Sequence, residues 1–343
     1  MFTVEELVVP ETADAVDAAD FAAAIEIMNR SEAEAYGHDE LRLFPDEVLP
    51  WWQDSANPHR LFGVRVDGAL VGSATYEYLA SDGESCWARI TVLASHRGQG
   101  IGAALAQHID ALARAEGRSK IITFFPSPDA PGDRVAAPTG FGSVPAGNPE
   151  VRFALAHGYR LEQVERGSRL TLPVAVEVEP PADYRLHYWI NNTPPAWLEQ
   201  MALLNTRMST DAPTAGLEEP EDVMTVERLL EQEAAIANGP RSYLHAAVEH
   251  IPTGVLAGFT TLSVPAETDR TINQYTTIVL KEHRGHRLGM LLKLANLDHL
   301  QRMRPGYPSI ITFNALENRF MLNVNEAVGF VAIGHEGAWR KDL

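Results

Sequence analysis

A glycine-rich turn between an apolar strand and a helix is the part of this sequence best suited to chemistry. The strand Ala88–Leu93 leads into the turn Ala94–Gly102, after which Leu105, Ile109 and Leu112 recur at helical spacing. Glycines at such a junction permit backbone angles closed to other residues and let a ligand approach the main chain. The unpaired amides of the first helical turn form an anion site. The pattern therefore predicts that a pyrophosphate binds here without net positive charge on the protein.

The turn resembles the phosphate loop of the GCN5-related N-acetyltransferase (GNAT) family, which reads R/Q-x-x-G-x-G/A and is matched by Arg97–Gly102. The resemblance implies that acetyl-CoA is the co-substrate. It also implies that a splayed strand pairs with the pantetheine arm and that the loop wraps the pyrophosphate; the residues concerned are Ile90, Thr91, Val92, Arg97, Gly98, Gln99, Gly100, Ile101, Gly102 and Ala103. A purely structural glycine turn is the alternative, whereas a dinucleotide-binding turn requires a spacing that this segment lacks.

The same pattern recurs about 187 residues further along the chain. Gly68–Gly72 recurs as Gly254–Gly258, and His96-Arg97-Gly98 recurs as His283–Gly285. Carried over position by position, the resemblance implies a second cofactor site; its residues are Thr277, Ile278, Val279, Arg284, Gly285, His286, Arg287, Leu288, Gly289 and Asn318. Arg287 stands where the first copy has Gly100, so a side chain limits close approach of a ligand to the main chain in the second copy.

The duplication predicts two domains joined by an extended connector. We expect an N-terminal acetyltransferase-like domain at residues 1–172, a Pro- and acid-rich linker at 173–183, and a C-terminal acetyltransferase-like domain at 184–343. Each domain should be an α/β structure, with a mixed, mostly antiparallel sheet flanked by helices. The first copy also carries a Pro- and Gly-rich insertion at residues 126–147, which we expect to be a long loop, either a lid or a surface excursion.

Catalytic groups are harder to identify than the cofactor loops. The family often places a tyrosine four residues before the last Gly-Phe/Tyr pair as the acid that protonates the thiolate, but this chain has Ala154 and Asn325 there. Among the cofactor contacts of that region, Asn148 of the first copy looks out of register with Asn318 of the second.

Two residues are candidates for catalysis. Some family members carry a basic glutamate on the central strand, and the equivalent positions here fall near Cys86 and Asn273. Glu84 and Tyr275 each lie two residues away and so on the same strand face. His96 and His283 precede the loop arginines and are expected to fix the loops.

The amino-acid composition indicates which binding partners and which cellular location to expect. The formal charge of −18 disfavours nucleic acid and anionic membranes and favours a cationic substrate. With one cysteine, Cys86, the chain cannot form an intramolecular disulfide or a zinc site built on several thiolates, and we predict no metal. The acidic amino terminus does not resemble a signal peptide, so we expect a cytoplasmic monomer or homodimer.

These features together predict an acetyl-CoA-dependent N-acetyltransferase that transfers acetyl directly to a primary amine of a small molecule. A protein N-acetyltransferase and a non-catalytic acyl-CoA-binding or sensor protein are the alternatives. The absence of the family tyrosine from both copies supports the non-catalytic alternative.

Overall fold

The computed structural model describes residues 2–237 and 239–343. Its strands are β1 Glu5–Leu7, β2 His59–Val66, β3 Ala69–Glu77, β4 Ser85–Val92, β5 Lys120–Pro126, β6 Arg134–Ala136, β7 Ser143–Pro145, β8 Arg160–Thr171, β9 Tyr184–Ile190, β10 Ser242–His250, β11 Val255–Val264, β12 Ile272–Val279, β13 Ser309–Ala315 and β14 Val331–Asp342. Its α-helices are α1 Ala19–Tyr36, α2 Pro45–Trp52, α3 Ile101–Ala115, α4 Pro149–Ala156, α5 Leu198–Asp211, α6 Val226–Ala237, α7 Leu288–Met303 and α8 Arg319–Val328.

The chain forms two compact units that do not follow chain order strictly. Unit 1 consists of Met1–Glu165, Thr214–Pro220 and Gly334–Leu343, and unit 2 consists of Arg166–Pro213 and Glu221–Ile333. The linker predicted at residues 173–183 separates the two copies in sequence order, whereas the two units are defined by contacts in space. The contacts add that two segments distant in sequence, one of them the carboxyl terminus, belong to unit 1.

The unit 1 sheet contains the strands β1-β2-β3-β4-β5-β14 in that order. β4 and β5 run parallel, whereas β14 pairs antiparallel with β5. Successive residues of β2 show which helices cover the two faces. Leu61 packs with Phe21 and Ile25 of α1, and Phe62 lies with its ring centroid 4.5 Å from that of His108 on α3. Helices α1 and α3 therefore cover opposite faces.

The unit 2 sheet repeats this arrangement with the order β13-β12-β11-β10-β9. β12 and β13 are parallel, and β9, β10 and β11 are antiparallel neighbours. Helix α5 packs on one side through Met201 and Leu204, and α7 packs elsewhere on the sheet through Leu288 and Leu292. The predicted α/β class, with mixed and mostly antiparallel sheets flanked by helices, is confirmed.

The insertion at residues 126–147 is more ordered than the expected long loop. It contains the antiparallel pair β6 and β7. Arg134 donates to Ser143 Oγ at 2.7 Å and to Asp129 at 2.7 Å, and Val144 is fully buried. These contacts hold the segment in a hairpin. In the described ranges, no helix is long and apolar enough to cross a membrane.

Candidate active site

Strands β4 and β5 separate halfway along their length. In the described chain, Ser85–Trp87 pair with Lys120–Ile122, and the pairing goes no further although β4 continues to Val92 and β5 to Pro126. The other edge of β4 stays paired with β3 as far as Val92. The main-chain groups of Ile90–Val92 thus face a gap between the strands. An extended ligand can enter such a gap and pair with the exposed strand edge.

The loop at the carboxyl end of β4 presents main-chain amides to open space. Gly98 and Gly100 adopt φ values of 75° and 92°, and a Cβ placed on either would meet nothing within 4 Å. Helix α3 has no side-chain cap, and its first internal bond is from Ala104 N to Gly100 O at 3.0 Å. The amides of Ile101–Ala103 therefore lack acceptors within the helix. This geometry fits a pyrophosphate held mainly by N–H groups.

Arg97 fixes this loop in place. Its Nε donates to Val92 O at 3.0 Å, and its two terminal nitrogens donate to the carboxylate of Glu34 on α1 at 2.8 and 2.7 Å. Beside this pair, a cleft of about 280 Å³ lies between α1 and the end of β4. The arginine therefore orients the loop, and its bidentate partner is a carboxylate of the protein itself. His96 contacts Ser95 Oγ through Nδ1 at 2.9 Å.

The second copy has the same gap and the same loop path. β12 pairs with β13 only through Ile272 and Asn273 among the described residues, although it continues to Val279. Arg284 donates from Nε to Val279 O at 3.1 Å and from a terminal nitrogen to Asp211 at 2.8 Å, as Arg97 does to its own strand and helix.

Arg287 takes the backbone conformation of the glycine that it replaces. Its φ is 58° and its ψ is 23°, which is the left-handed conformation also found at Gly100. Helix α7 then begins at Leu288 without a side-chain cap, and its first internal bond joins Leu291 N to Arg287 O at 3.0 Å. The substitution thus leaves the main-chain path of the loop unchanged. His283, just before the loop, contacts Tyr184 Oη at 3.1 Å.

The structure places Glu84 far from the gap. The residue is exposed and precedes β4 at its paired end, where its carbonyl accepts hydrogen bonds from the amides of Ser119 and Lys120 at 2.9 and 3.2 Å. Ile90 lies six residues further along, on the order of 20 Å at the rise of a β-strand. The geometry gives Glu84 no role at the gap.

Tyr275 lies at the mouth of the gap in unit 2. It follows the last paired residue, Asn273, by two positions, and its ring centroid is 5.7 Å from that of Tyr243. Burial of the hydroxyl, with a further contribution from Tyr243, raises the pKa of Tyr275. The phenol therefore stays protonated at neutral pH, which suits a proton donor better than a base.

The last helix of each copy begins at an asparagine. Asn318 caps α8 by accepting from Met321 N at 3.2 Å, and Asn148 occupies the N-cap of α4, where it donates to Pro128 O at 2.8 Å. The two asparagines are therefore equivalent, and the expectation that Asn148 is out of register is wrong. The sequence comparison missed this because α4 is shorter, with eight residues against ten in α8.

The positions of the family tyrosine contain no acid. Ala154 is fully buried, and Asn325 is buried and donates from Nδ2 to Asn314 Oδ1 at 2.7 Å. Any proton donor or acceptor must therefore come from elsewhere in the fold.

A network that sequence reasoning missed lies on the α1 side of the unit 1 sheet. Tyr36 Oη donates to Glu336 Oε1 at 2.7 Å, and Arg89, two residues past the last paired residue of β4, forms an ion pair with Glu32. Burial, with the charge of Glu32, raises the pKa of Glu336 to about 7 in spite of Arg89 and the Tyr36 hydrogen bond. No local pattern could reveal this network, because Tyr36 and Glu336 are 300 residues apart.

Comparisons with known proteins agree with this geometry. Residues 22–137 match the family model described as acetyltransferase (GNAT) family. A tandem GNAT protein from the clavulanic acid biosynthesis pathway superposes with a TM-score of 0.74 and 24% identity, covering 99% of this chain and 98% of that one. A GCN5-related N-acetyltransferase from Sphaerobacter thermophilus gives 0.66 and 16%, covering 99% and 95%.

A more distant structure, the N-myristoyltransferase of Saccharomyces cerevisiae with bound myristoyl-CoA, gives a TM-score of 0.58 and 10% identity, covering 99% of this chain and 79% of that one. No curated protein matches the chain significantly. At these identities the structural likeness establishes the fold, and the family model establishes the kind of domain in the first copy.

Proposed function

We propose a function on the premise that residues 22–137 form a domain of the acetyltransferase (GNAT) family within a chain that has the fold of tandem GNAT proteins. Acyl-CoA is the co-substrate of this family, and the chain is an acyl-CoA N-acetyltransferase. We propose that the acceptor is a primary amine of a small molecule and that acetyl passes to it directly. A cytoplasmic location is part of the proposal and rests on the single cysteine, because secreted proteins commonly rely on disulfides.

The open phosphate loop of unit 1 is the observation that carries the proposal. The amides of Gly98–Ala103 would hold the pyrophosphate, and the free edge of Ile90–Val92 would pair with the pantetheine arm. A cofactor bound in this way delivers its thioester into the gap between β4 and β5. Unit 2 offers the same main-chain geometry at Arg284–Gly289, with Tyr275 near its gap.

The reaction requires little covalent chemistry from the protein. The neutral amine attacks the thioester carbon, a C–N bond forms, and the C–S bond breaks as the tetrahedral intermediate collapses. The protein's contribution is to place the two reactants together and to accept a proton from the ammonium form of the amine. The net charge of −18 raises the local concentration of such a cation.

Calorimetry on two glycine variants tests the cofactor site. In Gly100→Val the branched side chain would occupy the space open to the pyrophosphate, and we expect at least a hundredfold loss of acetyl-CoA affinity in unit 1, about 2.7 kcal/mol. Gly117→Val is the matched control, because Gly117 also has a positive φ of 76° and open surroundings but lies at the other end of α3. Equal affinity and stoichiometry in Gly100→Val and the control would refute the assignment.

Release of free thiol tests the transfer itself. Purified protein is incubated with acetyl-CoA and, separately, with polyamines, aminoglycosides, amino acids and peptides. Turnover with a small amine supports the proposal, whereas turnover with peptides alone would favour protein N-acetylation. Binding of acetyl-CoA without thiol release from any acceptor would favour the non-catalytic sensor.

A further inference from the structure

The gap between β4 and β5 opens onto two different faces of the unit 1 sheet. Helix α4 lies on the same face as α3, since a Cβ placed at Gly102 of α3 would lie 3.1 Å from the Phe153 ring. Phe153 also packs on Phe125 of β5, with ring centroids 6.3 Å apart. The first turn of α3 carries the phosphate loop, so the cofactor reaches the gap from this face. The opposite face, covered in part by α1, is left for the acceptor.

Strand register assigns a defined set of side chains to this acceptor face. Trp87 is paired with Ile122, and Ala338 with Phe124. Alternation along each strand then places Arg89 and Glu336 on the same face. Arg89 lies two residues past the last paired residue of β4, and Glu336 lies beside Pro126, four residues past the last paired residue of β5. The packing agrees, because Ile122, Ala338, Trp87 and Phe124 form one apolar cluster with Leu217.

The side chain of Glu336 is held in one position by its neighbours. Tyr36 donates to Glu336 Oε1 at 2.7 Å, and the tyrosine ring lies directly on β14 at Gly334. A Cβ at Gly334 would be 2.6 Å from Tyr36 Cε1, so the contact requires glycine there. The carboxylate is thus oriented by a hydrogen bond whose donor is itself fixed by close packing.

We propose that Glu336 binds the ammonium group of the acceptor and removes its proton, so that the substrate is a cationic primary amine. This inference rests on the proposed acetyl transfer in unit 1. The proton passes from the ammonium nitrogen to a Glu336 carboxylate oxygen, and the neutral nitrogen attacks the thioester carbon. As the C–S bond breaks, the second nitrogen proton goes to the departing thiolate, which yields amide and free coenzyme A. Glu336 then returns its proton to solvent.

The charges around Glu336 suit a group that changes protonation during the reaction. Helix α1 presents Glu32 and Tyr36, β4 presents Arg89, and β5 presents the uncharged Pro126 beside it. His38, just after α1, has its ring centroid 5.9 Å from that of Tyr36. Burial and the like charge of Glu32 raise the pKa of Glu336, which makes its carboxylate a stronger proton acceptor than an exposed glutamate.

A segment distant in sequence completes the acceptor face. Leu217 packs on Ile122, and Trp87 Nε1 donates to Glu219 Oε1 at 3.3 Å. Burial raises the pKa of Glu219. The face therefore combines half-buried aromatic rings with carboxylates, and such surroundings favour an organic cation.

Steady-state kinetics with the best amine of the panel test the role of Glu336. Glu336→Gln should lower kcat by about 10²–10⁴ and leave acetyl-CoA affinity by calorimetry unchanged. Glu326→Gln is the control, because Glu326 is an exposed carboxylate paired with Arg166 at 2.7 Å and far in sequence from the loops. Unchanged acetyl-CoA affinity in Glu336→Gln also shows that the variant is folded.

Two further variants should move the acidic limb of the kcat profile in opposite directions. Tyr36→Phe removes a donor that stabilises the carboxylate, so the pKa of Glu336 rises and the limb moves to higher pH. Glu32→Gln removes a like charge, so that pKa falls and the limb moves to lower pH. The titration of the amine itself is the same in all variants and cannot produce opposite shifts.

The outcomes distinguish a failure of the proposed role of Glu336 from a failure of the proposed acetyl transfer. If the wild type is active and Glu336→Gln keeps its kcat and its pH profile, the role of Glu336 is overturned while acetyl transfer stands. Shifts of the same sign in Tyr36→Phe and Glu32→Gln would also overturn it. If the wild type binds acetyl-CoA but acetylates none of the amines, the proposed function fails and this inference fails with it.

Discussion

Lys293 on α7 offers a sharp test of the packing in unit 2. The residue is 2% exposed, and its Nζ lies 5.6 Å from the Phe330 ring centroid. Across the described residues, no carboxylate lies within ion-pair distance of it. The first copy has the buried Ala106 at the corresponding place. Burial alone lowers the pKa of Lys293 from 10.5 to about 7.

The lowered pKa fixes the sign of a pH effect on stability. Below pH 7 the lysine is protonated in both states, and the buried charge opposes folding in full. Between pH 7 and 10.5 the folded state has lost the proton and the unfolded chain retains it, so stability rises with pH by at most about 1.4 kcal/mol per unit. From pH 7 to pH 9 this gives a gain of about 2 kcal/mol.

Urea denaturation of the wild type and Lys293→Met at the two pH values measures this gain. Methionine keeps the volume without the charge, so the variant should be about 1–4 kcal/mol more stable at pH 7 and should lack this part of the pH dependence. Lys281→Met is the control, because Lys281 is 69% exposed and should leave the gain intact. Equal pH dependence in the wild type and Lys293→Met would show that the ammonium is solvated in the folded protein.

Three substitutions that introduce or remove a glycine test backbone strain and close packing elsewhere in the chain. Arg287→Gly should stabilise unit 2 by about 0.5–1 kcal/mol in thermal denaturation, because glycine adopts the left-handed φ of 58° without strain; a loss of stability would mean that the side chain makes compensating contacts. Gly258→Ala should destabilise unit 2 by about 2 kcal/mol or more in urea, since its Cβ would lie 2.3 Å from Ile278 O; an unchanged midpoint contradicts this. Gly334→Ala should displace the Tyr36 ring, shift the kcat profile to higher pH as Tyr36→Phe does, and keep acetyl-CoA affinity; an unshifted profile counts against the packing argument.

The main-chain geometry of the two glycine turns was largely predictable because its signals are local. A strand, a glycine turn and a helix follow one another within Ala88–Ala115, and backbone conformation at Gly98 and Gly100 depends on residues close in the chain. The duplication was equally readable, since it needs only two similar patterns at a nearly constant offset. The effect of Arg287 on the main-chain path of the second turn was not predictable, because sequence alone does not show whether a non-glycine residue will take a left-handed conformation.

The catalytic candidates were less predictable because their geometry depends on strand pairing. Counting along β4 placed Glu84 on the same strand face as Cys86, the position of the family glutamate. The residues that border the gap are decided by the point where β4 separates from β5. Glu84 lies on the paired side of that point. Tyr275 was found by the same counting and lies just past the separation of its own strands.

The sequence by itself determined the two copies, their α/β class and the turns that present main-chain amides at the start of α3 and α7. Only the tertiary structure decided that β14, at the carboxyl terminus, lies beside β5 and brings Glu336 to Tyr36. The physical reason is that turns and helix starts follow from nearby residues, whereas the unpaired edge of β5 accepts whichever strand satisfies its hydrogen bonds and apolar face. That choice is made by packing across the whole chain.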